Sequence, residues 1–396
     1  MFLVNQTSIR RNTLEEMNPV PEVYIFSSES AHRVQTFREN YPRLYKTVNI
    51  IWKIVKIIFK IIFFIPFGLF WVLGRICQNV VLPAAGGPFS KPLCSPKQMV
   101  QEVFATSARA LVDSGYAESV RRIPIQSDDL FIDALSITFP EAKPGRWMLY
   151  TLGNSECFEH RTLVFGQKNW ILDTAKNAQA NVLVMNYPGV MHSKGPVTRE
   201  SLKQAYRSCV KYLRDCPDGP KAKQMIAYGY SIGTAVQAMS LDEEITDGSD
   251  GVNWFVVKDR APRAISAIAG QWLGKFGVYA AKLLNWEVDV AALSAKLTCP
   301  ELFIHGCDES SVLIGDGLFK RENCCVAPFL KPGAQFPGEK ISVSKYLLTH
   351  QGPLEDESVV KVANHIKAHF DSENLQQISG SQESNERLDE SEDSDS

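Results

Sequence analysis

The five residues Gly229-Tyr230-Ser231-Ile232-Gly233 constrain this chain more than any other stretch. They fit G-x-S-x-G, a pattern in which the central serine sits on a sharp turn between a strand and a helix. The flanks supply both elements. Gln224-Met225-Ile226-Ala227-Tyr228 reads as a short buried strand, and Thr234-Ala235-Val236-Gln237-Ala238-Met239 as a helix. The two glycines leave room for a turn too tight for side chains.

Around this turn, residues 98–370 read as one α/β domain. Val120–Ile125 and Phe131–Phe139 are expected as paired strands. Strands and helices then alternate: Trp147–Leu152, a helix near Cys157–Lys176, Val182–Asn186, a helix near Val197–Asp215, and the strand and helix of the turn. Trp254–Lys258 and Glu301–His305 add further strands, and Val359–Phe370 an amphipathic helix. Such alternation implies a mostly parallel central sheet covered by helices on both faces. Ala261–Trp286 is expected to form a small helical cap.

Outside the domain, residues 1–46 are a polar N-terminal arm, and Leu82–Pro88 is a Gly/Pro-rich linker. Residues 371–396 hold nine acids and one arginine, so an acidic, disordered tail is expected, open to a protein partner. Basic residues gather early: seven lie between Arg33 and Lys60, against one acid, Glu39. Lys53, Lys56 and Lys60 recur at helical spacing opposite Ile, Val and Phe, and Ile61–Gly74 carries no charge. Residues 47–82 are therefore expected to associate with a membrane lipid surface. Two arrangements fit: Ile54–Gly74 spans the bilayer as an apolar helix, or a basic helix lies in the plane of an anionic surface. A helix packed into the soluble core is the third alternative.

A serine hydroxyl becomes a nucleophile when a base takes its proton, an acid orients that base, and donors hold the oxyanion. With Ser231 as nucleophile, the acid is expected after a later strand and the histidine later still. Cys299–His305 is such a strand, and Gly306-Cys307-Asp308-Glu309 follows; Asp308 is the expected acid and Glu309 the alternative. The base is expected at His350, in the loop before the last helix. His365 and His369 lie four apart on that helix, where surface positions are expected, and no metal site is predicted. The oxyanion is expected to meet the backbone N–H of Ile232 and that of Asn154, which follows the Trp147–Leu152 strand.

This constellation resembles the α/β-hydrolase superfamily over roughly residues 120–370, in the turn Gly229–Gly233, the acid loop His305-Gly306-Cys307-Asp308 and the late His350. Asn186-Tyr187-Pro188-Gly189-Val190-Met191-His192-Ser193-Lys194-Gly195 is similar to the strand-end D-Y-x-G-x-G-x-S-x-G stretch of esterases and peptidases of that fold, with Asn186 for the Asp and Met191 for a glycine. The layout as a whole resembles the chlamydial membrane-associated α/β-hydrolase-like (CHLPS-type) family. The superfamily resemblance implies an α/β-hydrolase fold, and the CHLPS-type one a bacterial membrane or host-facing setting with no particular substrate. The Ser231, His350 and Asp308 set is expected to make a Ser-His-Asp hydrolase of esters, thioesters or amides that needs no cofactor, and the membrane segment points to a small-molecule or lipid acyl substrate. Two other functions remain open on the same fold: a non-catalytic interaction protein at a membrane, and an acyltransferase.

The chain has no G-K-S/T phosphate loop and no G-x-G-x-x-G. No basic patch with interleaved aromatics lies outside the apolar region, so nucleic acid is not an expected partner. Nine scattered cysteines without a C-x-x-C pair point to free thiols in a reducing compartment.

Overall fold

Trp147–Thr151, Met225–Tyr230, Trp254–Val257 and Leu302–Ile304 are largely apolar runs without alternation, and each is buried along its whole length. Strands of this kind belong at the centre of a parallel sheet with both faces covered. The computed structural model, which describes residues 24–26, 37–62, 72, 97–154, 156–159, 161 and 169–372, places them there.

The strands are β1 (Tyr24–Phe26), β2 (Ser119–Ser127), β3 (Leu130–Thr138), β4 (Arg146–Thr151), β5 (Asn181–Met185), β6 (Gln224–Tyr230), β7 (Asn253–Asp259), β8 (Glu301–Cys307) and β9 (Lys340–Tyr346). They form one sheet in the order β1-β2-β3-β5-β4-β6-β7-β8-β9. β3 runs antiparallel to both β2 and β5, and every pair from β5 to β9 is parallel. The α/β, mostly parallel architecture agrees with the sequence reading. The chain crosses from β4 to β5 on one side, then returns to place β6 on the other side of β4. The carboxyl ends of β4 and β6 thus flank a topological switch point, where open α/β sheets form their crevice.

The helices are α1 (Pro42–Ile62), α2 (Lys97–Asp113), α3 (Trp170–Asn177), α4 (Arg199–Arg214), α5 (Gly233–Leu241), α6 (Ile265–Leu283), α7 (Val290–Ser294) and α8, residues 356–372. Thr198 and Ser201 form a reciprocal capping box that starts α4. On α8, Val359, Val362, Ala363, Ile366 and Phe370 are buried at helical spacing. Its end is held by Asp371, which accepts from the buried Arg146 at 2.7 Å and from Lys143 at 2.8 Å. The helix expected near Cys157–Lys176 is shorter. α3 begins at Trp170, with the Asn169 side chain accepting from the N–H groups of Ile171 and Leu172; residues 162–168 lie outside the described residues.

One sequence expectation needs correction, one falls largely outside the described residues, and two elements were not expected. Within the stretch expected to be a polar arm, β1 pairs in parallel with β2, and α1 already begins at Pro42. α1 also carries Arg43, Lys46, Lys53, Lys56 and Lys60, and no described helix is long and apolar enough to cross a membrane. Apart from Val72, the apolar run after Ile62 lies outside the described residues, as do 373–396 of the acidic tail. Finally, β9 and α2 had no counterpart in the sequence reading. β9 has only Val343 buried, so its apolar signal is weak.

Two buried charged groups stiffen the sheet. Glu301 joins β7 to β9, accepting from Lys258 at 2.8 Å and from Lys340 at 3.1 Å. Removing one member would strand the others in a low dielectric, a cost of about 3–5 kcal/mol. On β3, Asp133 lies 3.5 Å from Arg122, which also pairs with buried Glu159. Burial, reinforced by Glu159 and opposed by Arg122, pushes the Asp133 carboxyl up to about 7. The fold therefore favours protonated Asp133. Its contribution to stability is fully present below the unfolded value of 3.8 and is lost as pH rises to about 7. Asp133→Asn should flatten this loss, on the order of a few kcal/mol. Urea unfolding at pH 5 and pH 8 checks this: the variant should gain on the wild type at the higher pH, and an equal offset at both would contradict it.

Candidate active site

β6 ends at Tyr230 and α5 begins at Gly233, leaving only two residues for the reversal between them. Ser231 takes φ +53°, the left-handed region that side chains adopt at a cost. Neither flanking glycine can be replaced. A Cβ on Gly229 would meet the Thr234 backbone at 2.8 Å, and one on Gly233 would meet the carbonyl oxygen of Thr151 at 2.3 Å. The turn is thus wedged against the end of β4. The Ser231 N–H donates to the Asp259 carbonyl at 2.9 Å, and its own carbonyl accepts from the Thr234 side chain at 2.6 Å.

Ser231 Oγ lies 2.8 Å from His350 Nε2, and His350 Nδ1 lies 2.6 Å from Asp316 Oδ2. A carboxylate only accepts, so the Nδ1–H faces Asp316 and Nε2 is left to accept from the serine. The three side chains are almost wholly buried. Asp316 is fixed by its other oxygen, which accepts from the N–H groups of Leu318 (3.0 Å) and Phe319 (2.8 Å). The Phe319 ring packs edge-on to the imidazole at 4.7 Å.

The expected acids are therefore displaced by one the sequence reading missed. Asp308 Oδ1 accepts from the N–H groups of Ser310 and Val312, building the turn that leaves β8. Glu309 is exposed and accepts from the Tyr346 hydroxyl at 3.2 Å. Asp308 serves that turn and Glu309 meets the end of β9, and the chain travels on to Gly315-Asp316-Gly317 before an acid meets the histidine. The signal was the glycine pair: a Cβ on Gly315 would meet the Phe319 carbonyl oxygen at 2.2 Å, and Gly317 has φ +86°. Elsewhere, His305 is held by Ser342 at 2.7 Å, and His369 packs on Phe255. No cluster able to hold a metal exists among the described residues.

The His350 loop is clamped by Arg260, the first residue after β7. Its Nη1 donates to the carbonyls of Thr349, His350 and Gly352, and a bidentate pair with Asp259 (2.7 and 2.9 Å) holds the guanidinium. The Tyr230 hydroxyl donates to the same His350 carbonyl. Tyr230 packs against two guanidiniums, Arg161 at 4.9 Å and Arg260 at 4.8 Å from its ring centre. Pattern reading could not find this clamp, because a buried Arg looks like any surface Arg until its neighbours are known.

Of the expected oxyanion donors, Ile232 is the N-cap of α5, where backbone N–H groups lack intrahelical partners and the helix dipole favours negative charge. Asn154 lies exposed in the loop after β4. Beside it, the Gly153 N–H donates to Glu156 Oε2 at 2.7 Å. Burial raises the Glu156 carboxyl above its usual range, although Arg161, Gly153 and Arg260 each oppose that rise. In the strand-end stretch, Asn186 is buried, accepting from the Phe158 N–H and donating to Glu159. Met191 holds φ +50°, a conformation suited to the glycine of the resembled pattern.

The geometry separates the carboxylates by substitution. Asp316→Asn should lower labelling of Ser231 by an active-site-directed phosphonate by about 10⁴-fold, since the amide favours the wrong tautomer. Asp308→Ala should cost about 1–2 kcal/mol of stability through its two turn hydrogen bonds and leave labelling near wild type. The reverse ranking would restore Asp308 as the acid.

Solved structures similar to this chain include an esterase from Pyrococcus furiosus, 15% identical over 65% of this chain and 93% of that one, with a TM-score of 0.46. An esterase from Pyrobaculum calidifontis is 17% identical over 70% and 94%, with a TM-score of 0.45. An alpha-beta hydrolase from Vibrio vulnificus is 16% identical over 71% and 95%, with a TM-score of 0.44. The fold reading rests on the strand order and the turn at Ser231 rather than on these similarities. No curated protein matches the chain. The family model described as Chlamydia CHLPS protein (DUF818) matches residues 12–371, and the chain belongs to that family.

Proposed function

We propose that this protein is a serine hydrolase acting on an acyl ester, thioester or amide. The observation that carries the reading is the hydrogen-bonded order Ser231–His350–Asp316. In the proposed reaction Ser231 Oγ attacks the acyl carbon while His350 Nε2 takes its proton, and Asp316 stabilises the resulting imidazolium. The N–H groups of Ile232 and Asn154 receive the oxyanion. His350 then protonates the leaving group, and water, activated by the same imidazole, releases the acyl group. No step calls for a cofactor.

The N-terminal helix supports a membrane setting. α1 has five basic residues and no acid, and Ile50, Ile51, Trp52, Ile54, Val55, Ile57 and Ile58 are all exposed. Lysine stems can lie along apolar surface while their charges stay in water, which suits a helix in the plane of an anionic leaflet. A lipid acyl chain is the substrate class such placement favours.

One observation favours a second reading, a non-catalytic interaction protein on this fold. The Glu156 carboxylate occupies the Gly153 N–H beside the expected oxyanion site. A fluorophosphonate probe separates the two. The wild type should label and Ser231→Ala should not; labelling that persists in the variant would remove Ser231 from the chemistry. Glu156→Gln should label at least as fast as the wild type, because the substitution removes negative charge from beside the oxyanion. A folded wild type that never labels would favour the non-catalytic reading.

A further inference from the structure

α6 lies where a cap was expected, yet it is not one continuous helix. Gly274 has φ +61° and ψ −152°, and the helix folds back there. A Cβ on Gly277 would sit 2.1 Å from the Ala269 carbonyl oxygen, and one on Gly270 would meet Val278 at 2.7 Å, so the two halves touch across small residues. Folding back presents a tip. All five residues of Trp272-Leu273-Gly274-Lys275-Phe276 are exposed, with Trp272 at 52%, Leu273 at 60% and Phe276 at 66%. Tyr279 and Leu283 extend the apolar surface down the second half. Single exposed apolar residues are ordinary, whereas a contiguous group of this size marks a contact surface.

The base of this tip is tied to the candidate active site. Gln271, next to Trp272, donates to the Leu318 carbonyl at 2.9 Å and accepts from the Lys320 N–H at 3.1 Å and from Asn323 at 2.8 Å. Leu318 and Phe319 are the residues whose N–H groups hold Asp316. One residue therefore separates the exposed tip from the loop that positions the acid.

Charge indicates what covers the tip. α6 contains Lys275 and Lys282 and no acid, as α1 contains five basic residues and no acid. Two segments more than 200 residues apart in sequence thus share exposed aromatic and aliphatic side chains interleaved with lysines. A lipid leaflet with anionic headgroups matches both halves of that chemistry. We infer that the Trp272–Phe276 tip of α6 is a contact for an anionic lipid bilayer, and that Gln271 transmits its occupancy to the Asp316 loop. The regulatory half rests on the serine hydrolase reading; the lipid contact does not.

The full-length protein and vesicles of phosphatidylcholine and phosphatidylglycerol, with or without brominated acyl chains, test both halves. Trp52→Phe together with Trp71→Phe removes both tryptophans of the stretch 47–82. In that background brominated vesicles should quench tryptophan emission, and adding Trp272→Phe should remove most of the quenching. Equal quenching with and without Trp272, or a concentration-dependent dimer that shields Trp272 without lipid, would overturn the contact. Hydrolysis of soluble p-nitrophenyl butyrate should rise about tenfold on adding vesicles, each variant being compared with its own vesicle-free rate. Gln271→Ala should keep the Trp272 quenching and lose the rise, and Phe276→Ser/Tyr279→Ser should lose both. An undiminished rise in Gln271→Ala would overturn the coupling. Absence of turnover under every condition would contradict the hydrolase reading, while Trp272 quenching would still decide the contact.

Discussion

Everything in the site depends on the close approach of the β6–α5 turn to the end of β4. With no side chain at Gly233, the carbonyls of Thr151 and Leu152 come within 2.3 and 2.6 Å of where a Cβ would stand. Beside that contact Ser231 takes the left-handed region, and its oxygen turns toward His350. The cost of the strained residue is met by the surrounding order: a buried strand before it, an almost wholly buried helix after it, and the Asp259 carbonyl beneath its N–H.

From this fixed serine the other groups are placed by clamps of buried charge. Asp259 holds Arg260, Arg260 holds the carbonyls of the His350 loop, and the N–H groups of Leu318 and Phe319 hold Asp316. The contacts of Arg260 and of Asp316 with these loops are to backbone, so each orients a loop rather than a single atom. A loop held in this way keeps a side chain within hydrogen-bonding range without regular secondary structure at that point. The same construction makes the acid loop sensitive to its far side, where Gln271 bonds the backbone of Leu318 and Lys320.

Much of this arrangement is legible in the residue pattern. Unbroken apolar runs announce the central strands, and a glycine-flanked serine between a strand and a helix announces the turn. His350 stands out because few histidines follow Ser231. The acid is not legible in the same way. Asp308 and Glu309 come directly after β8, where a simple strand-end rule looks, but the Asp308 carboxylate closes the local turn and that of Glu309 meets Tyr346. Asp316 is distinguished only by its glycines, whose meaning depends on contacts with Phe319. Arg260, Glu156 and Asp133 are illegible for a related reason: burial and charge partners change their chemistry, and both arise from residues distant in sequence. Half-buried β9 lacks the period that would reveal it, and the lysines of α1 interrupt what otherwise reads as the start of a membrane span.

The central claim is that Ser231 forms a covalent acyl intermediate. Acid quenching shortly after mixing with p-nitrophenyl acetate, followed by tryptic digestion and mass spectrometry, tests it directly. The account predicts one acetyl group on the peptide spanning residues 224–258, localised by fragmentation to Ser231. Release of nitrophenol without acetylation of that peptide, or with the acetyl group on another residue, would contradict it.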